Sequence, residues 1–184
     1  MEALTLFFIL GSYIGVRLLL GHHKTPEMID RRKFKEGVDL VYKRDYSQAL
    51  LYFEKTLQKH PNSGLCWSFK AECNLYLNNY YQCIADANRA LNIDYRLRDC
   101  YMNKGMAFYK LEMIEDALVE FDKAIWHFRE RHPETFRYRG LCYDLLGNHE
   151  KAAYDFEKAL KLGDEESNYY LLQMTYKRNV KKNP

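Results

Sequence analysis

The sequence lacks the short motifs that usually accompany enzymatic chemistry. Its 184 residues contain no glycine-rich phosphate loop, no GxSxG segment and no HExxH pair. None of the six histidines stands at a zinc-ligand spacing. Carboxylate pairs such as Glu115-Asp116 fall where the start of a helix favours negative charge. We therefore expect no enzyme, no cofactor, no metal ion and no small-molecule substrate.

Strong charge of one sign and paired cysteines are also missing. The formal net charge is +3 and no run of five like charges occurs, so the composition does not indicate a nucleic-acid partner. Five cysteines are present without a CxxC spacing. Cys66 and Cys73 lie seven residues apart on one predicted helix, about 10 Å along its axis and too far to bridge. Buried free thiols are expected, which favours a reducing compartment.

The sequence does contain a pattern that recurs every 34 residues. When the repeats are aligned, four columns of equivalent positions can be followed through all of them. Successive residues in each column are 34, 34 and then 35 positions apart, which places one inserted residue between Ala124 and Phe136. Three columns hold small residues and one holds aromatic residues: Gly37, Ala71, Gly105, Gly140; Ala49, Cys83, Ala117, Ala152; Thr56, Ala90, Ala124, Ala159; and Phe53, Ala87, Phe121, Phe156. Self-similarity at this period predicts a solenoid of stacked supersecondary units.

Each repeat divides into two segments with helical apolar spacing. In the third repeat, Tyr101, Gly105 and Phe108 mark one helical face, and residues 117–125 mark another. Asn78-Asn79 and the Gly147 region stand between the two segments and suit a tight turn between helices. The small columns would allow the two antiparallel helices to approach closely.

These columns resemble those of the tetratricopeptide repeat family. The family's first-helix aromatic residue appears as Trp67, Tyr101 and Phe136, whereas the first repeat departs with Lys33. The family's closing proline is present only as Pro61. The resemblance implies an all-α solenoid of four helix-turn-helix repeats. Their expected bounds are residues 30–63, 64–97, 98–131 and 132–166, followed by a capping helix and basic tail at 167–184.

An apolar segment at residues 3–20 precedes the repeats. Eleven of its eighteen residues are Leu, Ile, Phe or Val, and eighteen residues of helix reach about 27 Å, enough for a bilayer core. We expect a transmembrane helix with a short linker at 21–29. Lys24, Arg31 and neighbouring basic residues follow the segment and none precedes it, which predicts a single-pass protein whose repeats face the cytoplasm.

Three other interpretations of this segment remain open. It could be a cleaved signal peptide, an interfacial amphipathic helix or a helix packed on the solenoid. Gly11 and Gly15 form a GxxxG pair that would suit pairing of membrane helices, or are two incidental glycines.

The family resemblance implies that the first helices line a concave groove that binds peptides or helices. The matching positions here are mainly apolar, aromatic or methionine: Phe34, Val38, Tyr42, Ser68, Glu72, Tyr76, Met102, Met106, Tyr109, Arg137 and Leu141. Such side chains suit a hydrophobic or amphipathic partner segment. The alternative is that neighbouring helices of the same chain cover part of this face. A charged clamp for a C-terminal carboxylate, found in chaperone-docking members of the family, does not fit because its positions hold residues such as Phe34, Val38 and Asp99.

The sequence therefore predicts a membrane-anchored adaptor or assembly scaffold that binds a protein segment in an apolar groove. A receptor for hydrophobic or amphipathic targeting segments in protein import or transport is the alternative. A soluble or secreted repeat domain with a processed N-terminus is a third possibility.

Overall fold

The computed structural model describes Ser12 and residues 31–182, with side chains as far as Tyr176. The chain divides after Lys35 into two units, and the repeats belong to the second unit. The apolar segment predicted at residues 3–20 and the linker at 21–29 lie outside the described residues, apart from Ser12. Within the described part, no helix is both long enough and apolar enough to cross a membrane.

Helices account for nearly all of the described chain, and residues 31–182 contain no β-strand. Nine helices lie between residues 35 and 182: α1 (Lys35–Tyr42), α2 (Tyr46–Lys59), α3 (Gly64–Tyr76), α4 (Tyr80–Ile93), α5 (Arg98–Lys110), α6 (Ile114–His127), α7 (Pro133–Leu145), α8 (His149–Lys161) and α9 (Glu166–Lys182). The all-helical solenoid that the sequence predicts is confirmed.

The helices pack in chain order as a curved stack. From α2 onward each helix contacts the next, and the first helices of successive repeats also touch, α3 with α5 and α5 with α7. This additional contact draws the first helices together on the inner side of the stack. The second helices α4, α6 and α8 therefore form the outer side, and the inner side is the surface on which a groove can form.

The turn within each repeat uses one left-handed residue at the same register. Arg44, Asn78, Glu112 and Gly147 have φ angles of 61°, 63°, 61° and 74°. The N–H of the next residue returns to a carbonyl five positions earlier, as from Asn79 to Asn74 at 2.8 Å. This arrangement satisfies carbonyl groups at the end of the first helix. Asparagine and glycine signalled two of these turns in the sequence, because they tolerate positive φ.

The inserted residue lies in the turn between the third and fourth repeats. Five residues, 128–132, separate α6 from α7, whereas four, 94–97, separate α4 from α5. Arg129 and Glu130 both adopt positive φ in this turn, and the N–H of Glu130 donates to the Ile125 carbonyl at 3.0 Å. The longer turn absorbs the extra residue without changing the helix pairs on either side.

Close packing between the two helices of a repeat depends on matched small and large side chains. A Cβ atom added to Gly105 would lie 2.6 Å from the Phe121 ring, and one added to Gly140 would lie 2.9 Å from the Phe156 ring. The second repeat has alanine in both columns, Ala71 and Ala87, and both are fully buried. A repeat with phenylalanine in its second helix therefore has glycine at the facing position of its first helix. In the second repeat, which lacks the ring, that position can hold alanine.

Aromatic stacking joins successive repeats at three of four junctions. Phe53 stacks on Phe69 with ring centroids 5.4 Å apart. The same contact recurs between Phe121 and Tyr138 at 5.8 Å and between Phe156 and Tyr170 at 5.1 Å. At the junction between the second and third repeats, the corresponding residues are Ala87 and Asn103. There the Asn103 Nδ2 is buried without a hydrogen-bond partner, so this junction lacks a contact that the others have.

We predict that Gly105→Ala lowers the free energy of unfolding by about 1–3 kcal/mol, because the added methyl group overpacks the contact with Phe121. The loss should appear even though alanine is favoured over glycine inside a helix by about 1 kcal/mol. Urea denaturation followed by circular dichroism measures the change.

The control is the same substitution in a Phe121→Ala background, which reproduces the alanine pair of the second repeat. There Gly105→Ala should be neutral or stabilising. An equal loss in both backgrounds would show that the contact with the ring is not the cause.

Candidate protein-binding groove

The eleven groove positions predicted from the sequence differ widely in exposure, with Ser68 buried and Glu72 half-buried. Tyr42 and Tyr76 are 73% and 50% exposed. Met106, Tyr109 and Leu141 are half-buried. The other four retain 4–8% of their exposed surface: Phe34, Val38, Met102 and Arg137. These four offer little surface to a partner, so the face is covered in part, as the alternative interpretation allowed.

Contacts within the chain account for two of the buried positions. Met102 belongs to a core cluster with Phe121 and Cys142. The guanidinium of Arg137 binds Asp164 and Glu166, each at 3.0 Å. Arg137 thus connects the fourth repeat to the start of α9, and its charge is balanced within the protein rather than offered to a ligand.

Tyrosine rings from several helices form the accessible part of the inner face. Tyr76 stacks on Tyr46 with centroids 4.4 Å apart and ring planes 10° from parallel. Tyr109 meets Tyr138 edge to face at 5.9 Å. We call Tyr42, Tyr46, Tyr76, Tyr109 and Tyr138 the tyrosine row. The sequence analysis missed Tyr46 and Tyr138, because Tyr46 opens a second helix and Tyr138 shares the column of Phe69 and Asn103.

The electrostatics around Tyr76 disfavour negative charge. Burial raises the pKa of Tyr76 to about 12, and the neighbouring groups Tyr46, Glu72 and Glu134 add to the increase. Glu134 lies on α7 and Tyr76 on α3, so side chains from the second and fourth repeats act on one phenol. Carboxylates near the Tyr76 ring therefore favour apolar or cationic groups over anionic ones beside it. At the other end of the row, the Arg137 guanidinium already lies 5.1 Å from the Tyr138 ring centroid.

Ion pairs that were not predicted from the sequence join the two helices of the second, third and fourth repeats. Buried ion pairs recur at the same register in three repeats: Lys70 to Asp86 at 3.1 Å, Lys104 to Glu120 at 3.0 Å and Arg139 to Asp155 at 2.7 Å. The three carboxylate residues are at most 5% exposed. Both members step by 34 and 35 residues, so the repeat columns contained the signal. The pairs are intramolecular and leave no charge for a ligand.

All five cysteines lie within the described residues, and each is fully buried and outside any disulfide. Burial raises the pKa of the Cys73, Cys100 and Cys142 thiols to about 12, and it also raises the pKa of Cys83. Thiols in this state are poor nucleophiles and poor metal ligands. Among the residues described, no group of three His, Cys, Asp or Glu side chains could hold a metal ion.

The fold and the inner face together define a helical-repeat scaffold with an aromatic concave surface. Residues 133–165 match the model of the tetratricopeptide repeat. The fourth helix pair therefore matches the tetratricopeptide repeat. The other three repeats keep the same columns and turns at the same register.

Known proteins similar to the chain include both sequence relatives and solved structures. It is 30% identical over 103 residues to the Hsp70/Hsp90 co-chaperone CNS1 of Saccharomyces cerevisiae, covering 53% of this chain and 26% of that protein. It is 28% identical over 130 residues to a repeat-containing protein of Methanocaldococcus jannaschii, covering 71% of this chain and 23% of the relative. The chain thus spans about a quarter of the length of these relatives.

Two solved structures share the fold. A thermophilic tetratricopeptide-repeat protein of Thermus thermophilus aligns with a TM-score of 0.67 at 24% identity, over 80% of this chain and 82% of that one. YrrB, described as having an unusual peptide-binding site, aligns with a TM-score of 0.64 at 22% identity, over 74% of this chain and 71% of its own.

We predict that the protein loses stability at alkaline pH because its thiols must remain protonated in the core. The folded pKa of Cys142 is about 12 against an ordinary value of 9.0. The stability from the neutral thiol is therefore complete below pH 9 and is lost as the pH rises towards 12. Urea denaturation midpoints measured across this range should fall steadily.

Replacing Cys142 with alanine should reduce this pH dependence, because one titrating group is removed. In the native protein the five thiols should also react slowly with a thiol reagent at mildly alkaline pH, and rapidly after denaturation. A midpoint that is constant up to pH 11 would contradict the prediction.

Proposed function

We propose that the protein is an adaptor that binds a segment of a partner protein along the tyrosine row. The exposure of Tyr42 and Tyr76, at 73% and 50%, carries this proposal. Exposed aromatic rings on a rigid concave scaffold provide large contact area at low entropic cost. Half-buried Met106 lies on the same first-helix column as Val38 and Leu141 and adds an adaptable apolar contact.

The chemistry of the row indicates the kind of segment that fits. Glu72 and Glu134 raise the pKa of Tyr76, so a lysine or arginine of the partner would be favoured beside this ring, while apolar side chains would contact the remaining rings. A peptide carboxylate would be disfavoured there. The peptide-binding site of YrrB and the co-chaperone role of CNS1 support a protein partner for this chain as well.

We further propose that residues 3–20 anchor the adaptor in a membrane, with the repeats in the cytoplasm, where it assembles a membrane-associated complex. Support comes from the length and apolarity of the segment and from the basic residues that follow it. The linker of nine residues, 21–29, would keep the groove close to the bilayer.

A receptor for amphipathic targeting segments is the second candidate function. The carboxylates near Tyr76 favour it, because an amphipathic helix with one cationic face would place charge beside them and apolar side chains on the rings. Saturable binding of many such peptides would distinguish this role, whereas one stoichiometric partner would favour the scaffold.

We predict that Tyr42→Ala with Tyr76→Ala reduces partner capture from detergent-solubilised membranes by about tenfold or more, as expected when two aromatic contacts are lost from an interface. The matched control replaces Tyr81 and Tyr95, which are 71% and 65% exposed but lie outside the first helices. Both double variants should unfold at similar urea concentrations. Equal capture by the two would rule out the tyrosine row.

We predict that the double substitution Leu10→Lys with Ile14→Lys releases the protein from membranes. Each charge near the centre of a spanning helix opposes insertion by about 2.5–3.5 kcal/mol. Resistance to alkaline carbonate extraction measures the effect, and the intact mass of the purified chain shows whether the N-terminus is retained. Unchanged carbonate resistance, or a mature chain without residues 3–20, would refute the anchor while leaving the groove proposal to its own test.

A further inference from the structure

Helix α9 occupies the position of the first helix of a fifth repeat. Its Tyr170 stacks on Phe156 at 5.1 Å, as Tyr138 of the fourth repeat stacks on Phe121 at 5.8 Å. Ser167 is fully buried, and its hydroxyl donates to Asp164. Helix α9 is therefore joined to α8 in the way that α7 is joined to α6.

The opposite side of α9 is mainly apolar and is not covered by any of the described residues, although Gln173 lies at its edge and donates to the Tyr169 hydroxyl. Tyr169, Leu172 and Tyr176 are 59%, 62% and 72% exposed, and their spacing of three and four residues places them on one side of the helix. We call these three residues the outer face of α9. Met174 of the same helix is half-buried, whereas these three residues are exposed. The terminal helix of a solenoid normally presents a polar outer face.

Leu172 stands where the fourth repeat has glycine, so a second helix cannot pack on the outer face as closely as it does in the other repeats. Two residues after Tyr138 comes Gly140, which accepts the Phe156 ring at close range. Two residues after Tyr170 comes Leu172, whose side chain would hold a following helix further away. A helix packed against this face would therefore lie at the wider separation of an ordinary helix pair, unlike the second helices of this solenoid.

We propose that the outer face of α9 binds the same face of a second copy of this chain, with the two helices antiparallel. The face is self-complementary, since a two-fold axis beside Leu172 brings Leu172 to Leu172 and places Tyr169 of one copy near Tyr176 of the other. Antiparallel packing also opposes the two helix dipoles favourably.

The sequence of α9 supports the antiparallel direction. The helix is preceded by exposed Glu165 and begins at Glu166, and its sequence ends with Lys177, Arg178, Lys181 and Lys182. In an antiparallel pair the acidic end of one copy lies beside the basic end of the other; in a parallel pair, like charges meet. Glu166 already binds Arg137 at 3.0 Å, so Glu165 is the acidic residue that contributes most.

The size of the face indicates a reversible dimer. Helix α9 has 17 residues, and its outer face offers on the order of 350 Å² per copy, given that buried aromatic side chains cover about 150–250 Å² each. Stable interfaces cover about 800 Å² per partner. A weak dimer is therefore expected, and it should be detected at high protein concentration.

The test uses Leu172→Cys in the full chain, purified in detergent and treated with a short thiol crosslinker. The five native cysteines are fully buried, so the new thiol is the reactive one. A covalent dimer is expected. The matched control is Leu51→Cys, because Leu51 is similarly exposed at 60% on α2 and should remain monomeric. Equal crosslinking of the two variants, or none at Leu172→Cys, overturns the proposal.

Two further variants establish the direction and exclude other pairing surfaces. A mixture of Tyr169→Cys and Tyr176→Cys chains should crosslink more than either alone, whereas self-crosslinking of Tyr169→Cys would indicate a parallel pair and overturn the antiparallel arrangement. Leu172→Glu should raise the dissociation constant at least tenfold by light scattering, and Leu51→Glu should not. If Leu172→Glu leaves the oligomeric state unchanged, the dimer forms elsewhere, or not at all, and the proposal fails.

Discussion

The contact between a small residue of the first helix and a phenyl ring of the second is the interaction on which the rest of the structure depends. Gly105 against Phe121 and Gly140 against Phe156 leave no space for a Cβ atom. This close approach sets the separation of the two helices in the third and fourth repeats, where the paired cation and carboxylate lie 3.0 and 2.7 Å apart. It also allows each ring to extend towards the next repeat, where three of them stack. The curvature of the inner face follows from these distances.

The junction between the second and third repeats is the exception, and it bears on function. Ala87 and Asn103 replace the aromatic stack there, and Asn88 stands in the column where Glu54 and Asp122 approach the cation of the next repeat at 4.0 and 2.6 Å. The Asn103 Nδ2 and the Glu120 Oε2 are both buried there without a hydrogen bond, which destabilises this part of the core. A segment bound across Tyr76 and Tyr109 would span this junction and hold the two halves together.

Much of the fold could be predicted because its signals are local. The small columns, the apolar spacing and the turns at Asn78 and Gly147 each depend on a few neighbouring residues. The groove was predicted less completely. Register placed Met102 and Arg137 on first helices, yet Met102 packs against Phe121 and Arg137 binds Asp164. Periodicity predicts on which side of a helix a residue lies. It does not predict how much of that side a neighbouring helix covers, because the cover depends on how successive repeats pack against one another.

The sequence by itself determined the period, the pairing of glycine with phenylalanine and the register of the turns, because these arise from steric fit and backbone preference within one repeat. Only the tertiary structure decided which inner-face residues remain exposed, how Tyr46 and Tyr76 stack at 4.4 Å, and that the outer face of α9 is uncovered. Those features depend on how successive repeats rotate against one another. That rotation is the sum of many small packing contacts between residues distant in sequence, and no local pattern records it.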